Sequence, residues 1–182
     1  MWRSLRKETG ETWKNCIRNI PDFPVKGIQF KDITTMIKQG ELFAQAVDYM
    51  YDPFRHEELE KIVAIEARGF IFGSALAYKL NVGFVPIRKP GKLPGECLVE
   101  EYDLEYGKDS IEIHKDAIRK GEKIFLVDDL LATGGTAAAA CRLIEKLGGK
   151  IVGISFLIEL LELKGRDLLK GYDVHSLIAF PF

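Results

Sequence analysis

Cysteine is scarce: Cys16, Cys97 and Cys141 are the only three in 182 residues, and no two form a CxxC pair. An odd, widely spaced set excludes a disulfide framework or a zinc site, and it fits a reducing compartment. Net charge is equally scarce. Against 26 Lys plus Arg stand 27 Asp plus Glu, a formal charge of −1, so no global positive field exists to hold nucleic acid or an anionic membrane. Any anionic ligand must be held by local groups. Long apolar runs are missing too. The longest uncharged stretch, Leu130 to Cys141, is too short to span a bilayer and is interrupted by two glycines. The opening MWRSLRKETGETWK has no apolar signal core. The expectation is a soluble cytoplasmic protein with neither nucleic acid nor membrane as partner. Internal repeats and low-complexity blocks are also absent, and the length suits one domain, 1–182, with a core of its own.

What is present is an alternation of apolar strands and helices. Spaced apolar positions (Trp2, Leu5, Trp13, Ile17) predict a surface helix ended by Ile20-Pro21, and PDFPVKGIQF has the Pro and Gly punctuation of a loop. ELFAQAVDYMYDPF reads as an amphipathic helix. KIVAIEARG, VGFVPIRK, KIFLVDD and KIVGISFLIEL read as buried strands, with helices FIFGSALAYKL and TGGTAAAACRLIEKLGG after the first and third; YDVHSLIAF reads as a last strand. CLVEEYDLEYGKDSIEIH differs, being polar and alternating with Gly107 in its turn, which predicts an exposed β-hairpin. The pattern implies an α/β protein whose parallel sheet is covered on both faces. Ligands of such sheets sit beyond the carboxyl ends of the strands. Those ends read Glu66-Ala67-Arg68, Arg88-Lys89 and Asp128-Asp129, a concentration of charge at one rim.

The stretch IFLVDDLLATGGTAAAA carries the most chemistry. A Gly-rich turn entering a helix offers unpaired N–H groups and the positive end of the helix dipole, which suits a phosphate. Gly134 and Gly135 allow close backbone approach, and Thr133 and Thr136 add hydroxyl donors. No GK[ST] follows, which excludes a Walker loop, and GxGxxG is absent, which excludes the dinucleotide fingerprint. Asp128 and Asp129 would repel a lone phosphate by roughly 1–4 kcal/mol per contact pair. They make sense if the ligand also presents hydroxyls or brings a cation. A ribose 5-phosphate meets that requirement, with hydroxyls on the two acids and phosphate on residues 132–136.

VDDLLATGGT resembles the phosphoribosyl diphosphate (PRPP) motif of the type I phosphoribosyltransferase family. FPVKGIQFKDI, EARGFIFG, IRKPGKLPGE, EYDLEYGKDSIEIHKDAI and ELKGRDLL are similar, in the same order, to segments of its adenine-using members. Together they cover nearly everything from Asp22 to Leu169. The resemblance implies a parallel-sheet type I fold, with an N-terminal hood over 1–35 and a flexible hairpin lid over 97–115. It also implies a homodimer and a purine-salvage reaction, adenine plus PRPP to AMP plus pyrophosphate, with Mg²⁺ held mainly by the substrate's phosphates rather than by protein side chains. Ala132, Thr133, Gly134, Gly135 and Thr136, with Asp128 and Asp129, would hold ribose and phosphate. Arg68, Arg88, Lys89 and Lys92 would hold pyrophosphate, and a cis peptide is implied at Ala67–Arg68. Glu105 matches the catalytic glutamate; residue chemistry alone does not separate it from Glu100, Glu101 or Asp103. Gln29 and Phe30 match the adenine-binding pair, backbone groups reading the base edge and the ring stacking on it. By composition alone Phe30 reads as core. The loop between Ile158 and Leu160 is a further candidate for the other face of the base.

Two other readings share these residues. One is a transferase for a 6-oxopurine, which would call for a side-chain amine near the base; Lys31 is the nearest. The other is a catalytically silent PRPP-binding regulator, against which stand the short chain, the neutral charge and the presence of Glu105.

Overall fold

The structure, a computed structural model, describes residues 12–103 and 107–181. Two compact units divide the chain, Met1–Tyr49 and Met50–Phe182.

In the first unit, residues 12–16 are helical and the chain then turns into a strand. β1 (Arg18–Pro21) pairs antiparallel with β2 (Gln29–Asp32), Arg18 opposite Asp32 and Pro21 opposite Gln29. The helix expected to reach Ile20 therefore stops short, and the expected loop yields a strand at its end. The reason lies in the partner: Asp32 takes Arg18 Nε at 3.0 Å and also the Thr34 N–H and hydroxyl at 2.9 and 2.7 Å. The Thr34 bonds first and Arg18 second hold the Asp32 carboxyl down at about 2. Between the strands, Asp22 adopts φ 57° and its carboxylate receives the Gly27 N–H at 2.7 Å, closing the turn. Helix α1 (Thr34–Ile37) and helix α2 (Gly40–Tyr51, its last two residues in the second unit) follow; within the first unit α2 buries Ala46 and Val47.

The second unit is built on β3 (Lys61–Ile65), β4 (Gly83–Ile87), the hairpin β5 (Cys97–Asp103) and β6 (Lys108–His114), β7 (Lys123–Leu131), β8 (Lys150–Leu160) and β9 (Val174–Phe180). Five of these form one sheet in the order β4-β3-β7-β8-β9, every neighbouring pair parallel. Helix α3 (Gly69–Leu80) connects β3 to β4, and helix α4 (Gly135–Lys146) connects β7 to β8. On one face Val63, Ile65, Val85, Ile87, Leu126 and Phe156 pack in one cluster with the alanines of α4. The other face is closed by α3 and Phe54: a methyl on Gly73 would lie 2.5 Å from Ala64 Cβ, and the Phe54 ring stands 4.9 Å from that of Phe125.

The hairpin is not the exposed element its polar residues suggested. Tyr102, Ile111 and Ile113 are buried in the α4-side cluster, because period-two alternation gives even a polar strand one apolar face. Its Glu100 is held by Arg142 (2.5 Å) and Lys146 of α4.

This strand order has a consequence for ligands. The chain leaves β3 toward β4 on one side and leaves β7 toward β8 on the other, so a crevice opens between the carboxyl ends of β3 and β7. That is the topological switch point where open α/β sheets bind ligands.

Candidate active site

Charged side chains meet at the crevice from both strands. Arg68, leading into α3, places Nε 2.8 Å from Asp129 Oδ2 on β7. The strand runs on to Leu131, so both acids lie within it rather than beyond its end. Gly69 permits the close approach of α3: a Cβ there would meet Asp128 Oδ1 at 2.7 Å and Val127 O at 3.2 Å. Asp128 Oδ1 in turn receives the Asp129 N–H at 2.8 Å. Burial, and then the neighbouring Asp129 charge, pushes the Asp128 carboxyl well above the ordinary carboxylate range. Burial also raises Asp129, opposed by the Arg68 guanidinium. The cis peptide falls at Glu66–Ala67, one link before the position the resemblance implied.

The turn after β7 contains Ala132, exposed Thr133 and Gly134, the last with φ +85°, a conformation that favours glycine. α4 begins at Gly135, and the Ala138 N–H closes its first turn on Gly134 O at 2.9 Å. The N–H groups of residues 135–137 thus precede the helical ladder, with half-buried Thr136 among them, and a helix N-terminus of this kind can take an anion. Two neighbours shape this turn. A Cβ on Gly135 would come within 3.2 Å of the Tyr102 ring, and one on Gly134 within 2.3 Å of Gly165 O.

The cations after β4 are held by carboxylates whose partners the sequence did not show. Glu66 accepts from Arg88 Nε at 2.7 Å and from the Lys89 N–H. Burial pushes the Glu66 carboxyl up, but these bonds outweigh it and keep it below its ordinary value. Lys89 Nζ reaches Asp109 and the Tyr102 hydroxyl (3.1 Å), and that hydroxyl donates to Asp109 at 3.0 Å. Burial lowers the Lys89 ammonium, yet Asp109 and Tyr102 prevail and its proton is held more tightly than usual. The loop carrying exposed Lys92 is clamped by buried Glu112, which accepts the Lys92 and Leu93 N–H groups at 3.1 and 3.0 Å. Strand pairing adds to the clamp, since Arg88 and Glu112 exchange backbone bonds of 3.0 and 2.7 Å.

The second unit thus brings Arg68, Asp128, Asp129 and the 132–136 turn to one crevice, with Arg88 and Lys89 fixed at the end of the adjacent strand. Gln29 and Phe30 stand on β2 in the first unit. The Gln29 side chain accepts from Asn19 at 2.5 Å, and the half-buried Phe30 ring meets Phe23 edge-on at 5.1 Å. Glu105 lies outside the described residues. Glu159, between Ile158 and Leu160, is buried and paired to Arg166. Among the described residues no group of three or more His, Cys, Asp or Glu is arranged to hold a metal, and no helix is long and apolar enough to cross a membrane. Asp109 and Glu112 escaped the sequence reading, and Glu66 was read only as charge at the rim, because their partners lie on other segments.

A parallel sheet with an acid pair and a Gly-rich turn at its switch point, and cations there and on the next strand, defines an α/β protein with a site suited to an anionic ligand. The phosphoribosyl transferase domain family model matches residues 34–180, and the chain belongs to that family. Within it the similarity is to adenine phosphoribosyltransferases. That of Clostridium perfringens is 59% identical over 92% of this chain and 97% of its own. The crystal structure of the Thermoanaerobacter pseudethanolicus enzyme superposes with a TM-score of 0.91 at 55% identity, covering 93% of this chain and 99% of that one. The Saccharomyces cerevisiae enzyme, solved with an imino-altritol bisphosphate and adenine, gives a TM-score of 0.88 at 41% identity, covering 94% and 99%.

Proposed function

We propose that the protein transfers the 5-phosphoribosyl group of PRPP to adenine, giving AMP and pyrophosphate in purine salvage. The observation that carries this reading is the junction at the switch point: Arg68 on Asp129, Asp128 beside it, and the Gly-rich turn three residues on. Asp128 and Asp129 accept the ribose hydroxyls, and the N–H groups and threonines of residues 132–136 hold the 5-phosphate. Displacement at C1 of ribose builds positive charge on the sugar and negative charge on the departing diphosphate. Arg68, Arg88, Lys89 and Lys92 face the latter, and pre-oriented cations of this kind stabilise charge that develops in the transition state. Glu66, Asp109 and Tyr102 keep Arg88 and Lys89 oriented before substrate arrives, so little reorganisation is left for the reaction itself.

The oxygen-rich rim also suits Mg²⁺, a hard cation that takes oxygen ligands and often binds chiefly through substrate phosphates. Carried on the diphosphate, it would neutralise leaving-group charge, with Asp128 and Asp129 as the nearby carboxylates. Glu105 manages the N9 proton of adenine, a contribution typically on the order of 10²–10⁴ in rate. Gln29 and Phe30 read the base: adenine offers a donor at N6 and an acceptor at N1, the pattern a backbone C=O and N–H recognise together. The hairpin from 97 to 115 acts as the lid of a cytoplasmic homodimer. Its described stem is buried through Tyr102, Ile111 and Ile113 and pinned through Glu100.

The test is pyrophosphate release from PRPP and Mg²⁺ with adenine, hypoxanthine, guanine or no base. Release with adenine alone is expected. Release only with a 6-oxopurine would overturn the base assignment, and PRPP binding without release under any condition would overturn catalysis.

A further inference from the structure

Gly165 touches the turn from below, and the contact is steric from both sides. A Cβ on Gly165 would stand 2.3 Å from Ala132 O, 2.9 Å from Leu131 Cδ1 and 3.1 Å from Gly134 N. Conversely, a Cβ on Gly134 would stand 2.3 Å from Gly165 O and 3.1 Å from its Cα. The two backbones lie against each other with no room for a methyl group. Where the Gly165 peptide stands therefore decides where the turn can stand.

The next residue fixes that peptide. Arg166 forms a two-pronged pair with Glu159, Nε to Oε1 and Nη2 to Oε2, both at 2.7 Å. The same guanidinium donates to Val174 O at 2.7 Å and to Ser176 Oγ at 2.9 Å, and Ser176 Oγ closes the cluster on Glu159. One side chain thus ties the 165–169 segment to the carboxyl end of β8 and the start of β9. Its acceptor is buried, with Glu159 at 5% exposure. Burial pushes the Glu159 carboxyl up, but Arg166 and Ser176 outweigh it and hold it ionised. At the other end of the segment Leu169 is sunk in the α4-side core. The Arg fork matches a carboxylate in a way a lysine cannot.

We infer that Arg166 and Glu159 are positioning residues for the ribose 5-phosphate, acting through the Gly165 peptide on the 132–136 turn. This rests on the assignment of that turn to the 5-phosphate. Neither side chain needs to touch substrate. The pair holds the plate against which the cradle is formed, on the opposite side from Arg68, Arg88 and Lys89. Its loss should therefore weaken ligands that carry the 5-phosphate and spare those that carry only pyrophosphate.

The full-length chain and its Arg166→Lys, Arg166→Gln and Gly165→Ala variants are titrated with AMP, with ribose 5-phosphate and with Mg²⁺-pyrophosphate. KM for PRPP, kcat and the thermal midpoint are followed in parallel. Expected are roughly 10- to 100-fold weaker AMP and ribose 5-phosphate binding and a raised KM for PRPP, as displacements of up to an ångström produce. Pyrophosphate binding should be unchanged, and Arg166→Lys should fall short of wild type although it keeps the charge. If Gly165→Ala does not fold, the Arg166 pair of variants carries the test. Wild-type AMP affinity in the Arg166 variants would overturn the inference. So would parallel loss of AMP and pyrophosphate binding with a lowered midpoint, the mark of general damage. Wild-type protein binding pyrophosphate but neither AMP nor ribose 5-phosphate would overturn the phosphate assignment itself.

Discussion

Replacing Gly69 by alanine tests the crevice where the argument is most geometric. The added methyl would lie 2.7 Å from Asp128 Oδ1 and 3.2 Å from both Asp128 Cα and Val127 O. Non-bonded contacts settle at about 3.5 Å or beyond, and two of the three atoms met are backbone that yields little. The start of α3 must therefore retreat by a few tenths of an ångström, and the Asp128 carboxylate must rotate away. Overpacking of this kind costs about 1–3 kcal/mol. Alanine returns up to about 1 kcal/mol as a better helix former than glycine. The net destabilisation is roughly 0–3 kcal/mol, or about 0–12 °C in thermal midpoint for a chain of this size. The kinetic loss should be larger in proportion, because misplacing a substrate-holding group by an ångström can cost about 100-fold. kcat/KM for PRPP should fall roughly 10- to 100-fold, equivalent to about 1.4–2.7 kcal/mol of transition-state stabilisation. The adenine KM should hold. The assay is steady-state pyrophosphate release with each substrate varied, alongside a melting curve. Wild-type kcat/KM for PRPP would refute the reasoning: Asp128 would then not hold ribose, or the contact with α3 would not fix it.

Asp128→Asn combined with Asp129→Asn should nearly abolish PRPP use, and near-normal kinetics would undo the ribose assignment. Because burial and the Asp129 charge raise the Asp128 carboxyl, its ionised form is lost at a higher pH than in an ordinary carboxylate. kcat/KM for PRPP should fall on the acid side from that higher pH, and the limb in Asp129→Asn should move lower; an unmoved limb would assign it to another group. Glu105→Ala should reduce turnover on the order of 10²–10⁴-fold with PRPP binding retained, and the reverse pattern in rapid-quench kinetics would make Glu105 a binding residue. Phe30→Ala should raise the adenine KM and leave PRPP binding intact, whereas an unchanged KM would reduce Phe30 to packing. Asp109→Ala, which strips Lys89 of its carboxylate partner, should raise the Kd for pyrophosphate several-fold. In Lys89→Met the same change should have no further effect, and additive losses would mean that Asp109 acts elsewhere.

Much of the fold was legible because its signals are local. KIVAI, GFVPI and KIVGISFLIEL carry the unbroken apolar character of strands buried on both faces, and β8 falls on the residues so marked. The turn and the start of α4 were legible for the same reason: glycines, threonines and a helix start lie within a few residues. The hairpin was legible as a hairpin but not as half-buried. Its charges are plain in the text, whereas the α4 alanines that receive Ile111 and Ile113 come a full strand later. The segment before Pro21 misled because Arg18–Ile20 takes its conformation from β2 rather than from its own propensity.

The sequence by itself therefore determined the elements, the acid pair, the Gly-rich turn and which chemistry those could serve, since each depends on neighbours close along the chain. Only the tertiary structure decided which groups hold which. Glu66 on Arg88, Asp109 on Lys89, Asp129 on Arg68, and Gly165 against the 132–134 turn join residues on different strands and loops. Those pairings follow from the order β4-β3-β7-β8-β9 and its reversal at the crevice. No local pattern encodes that order, because it is the burial of both faces of the whole sheet that selects it.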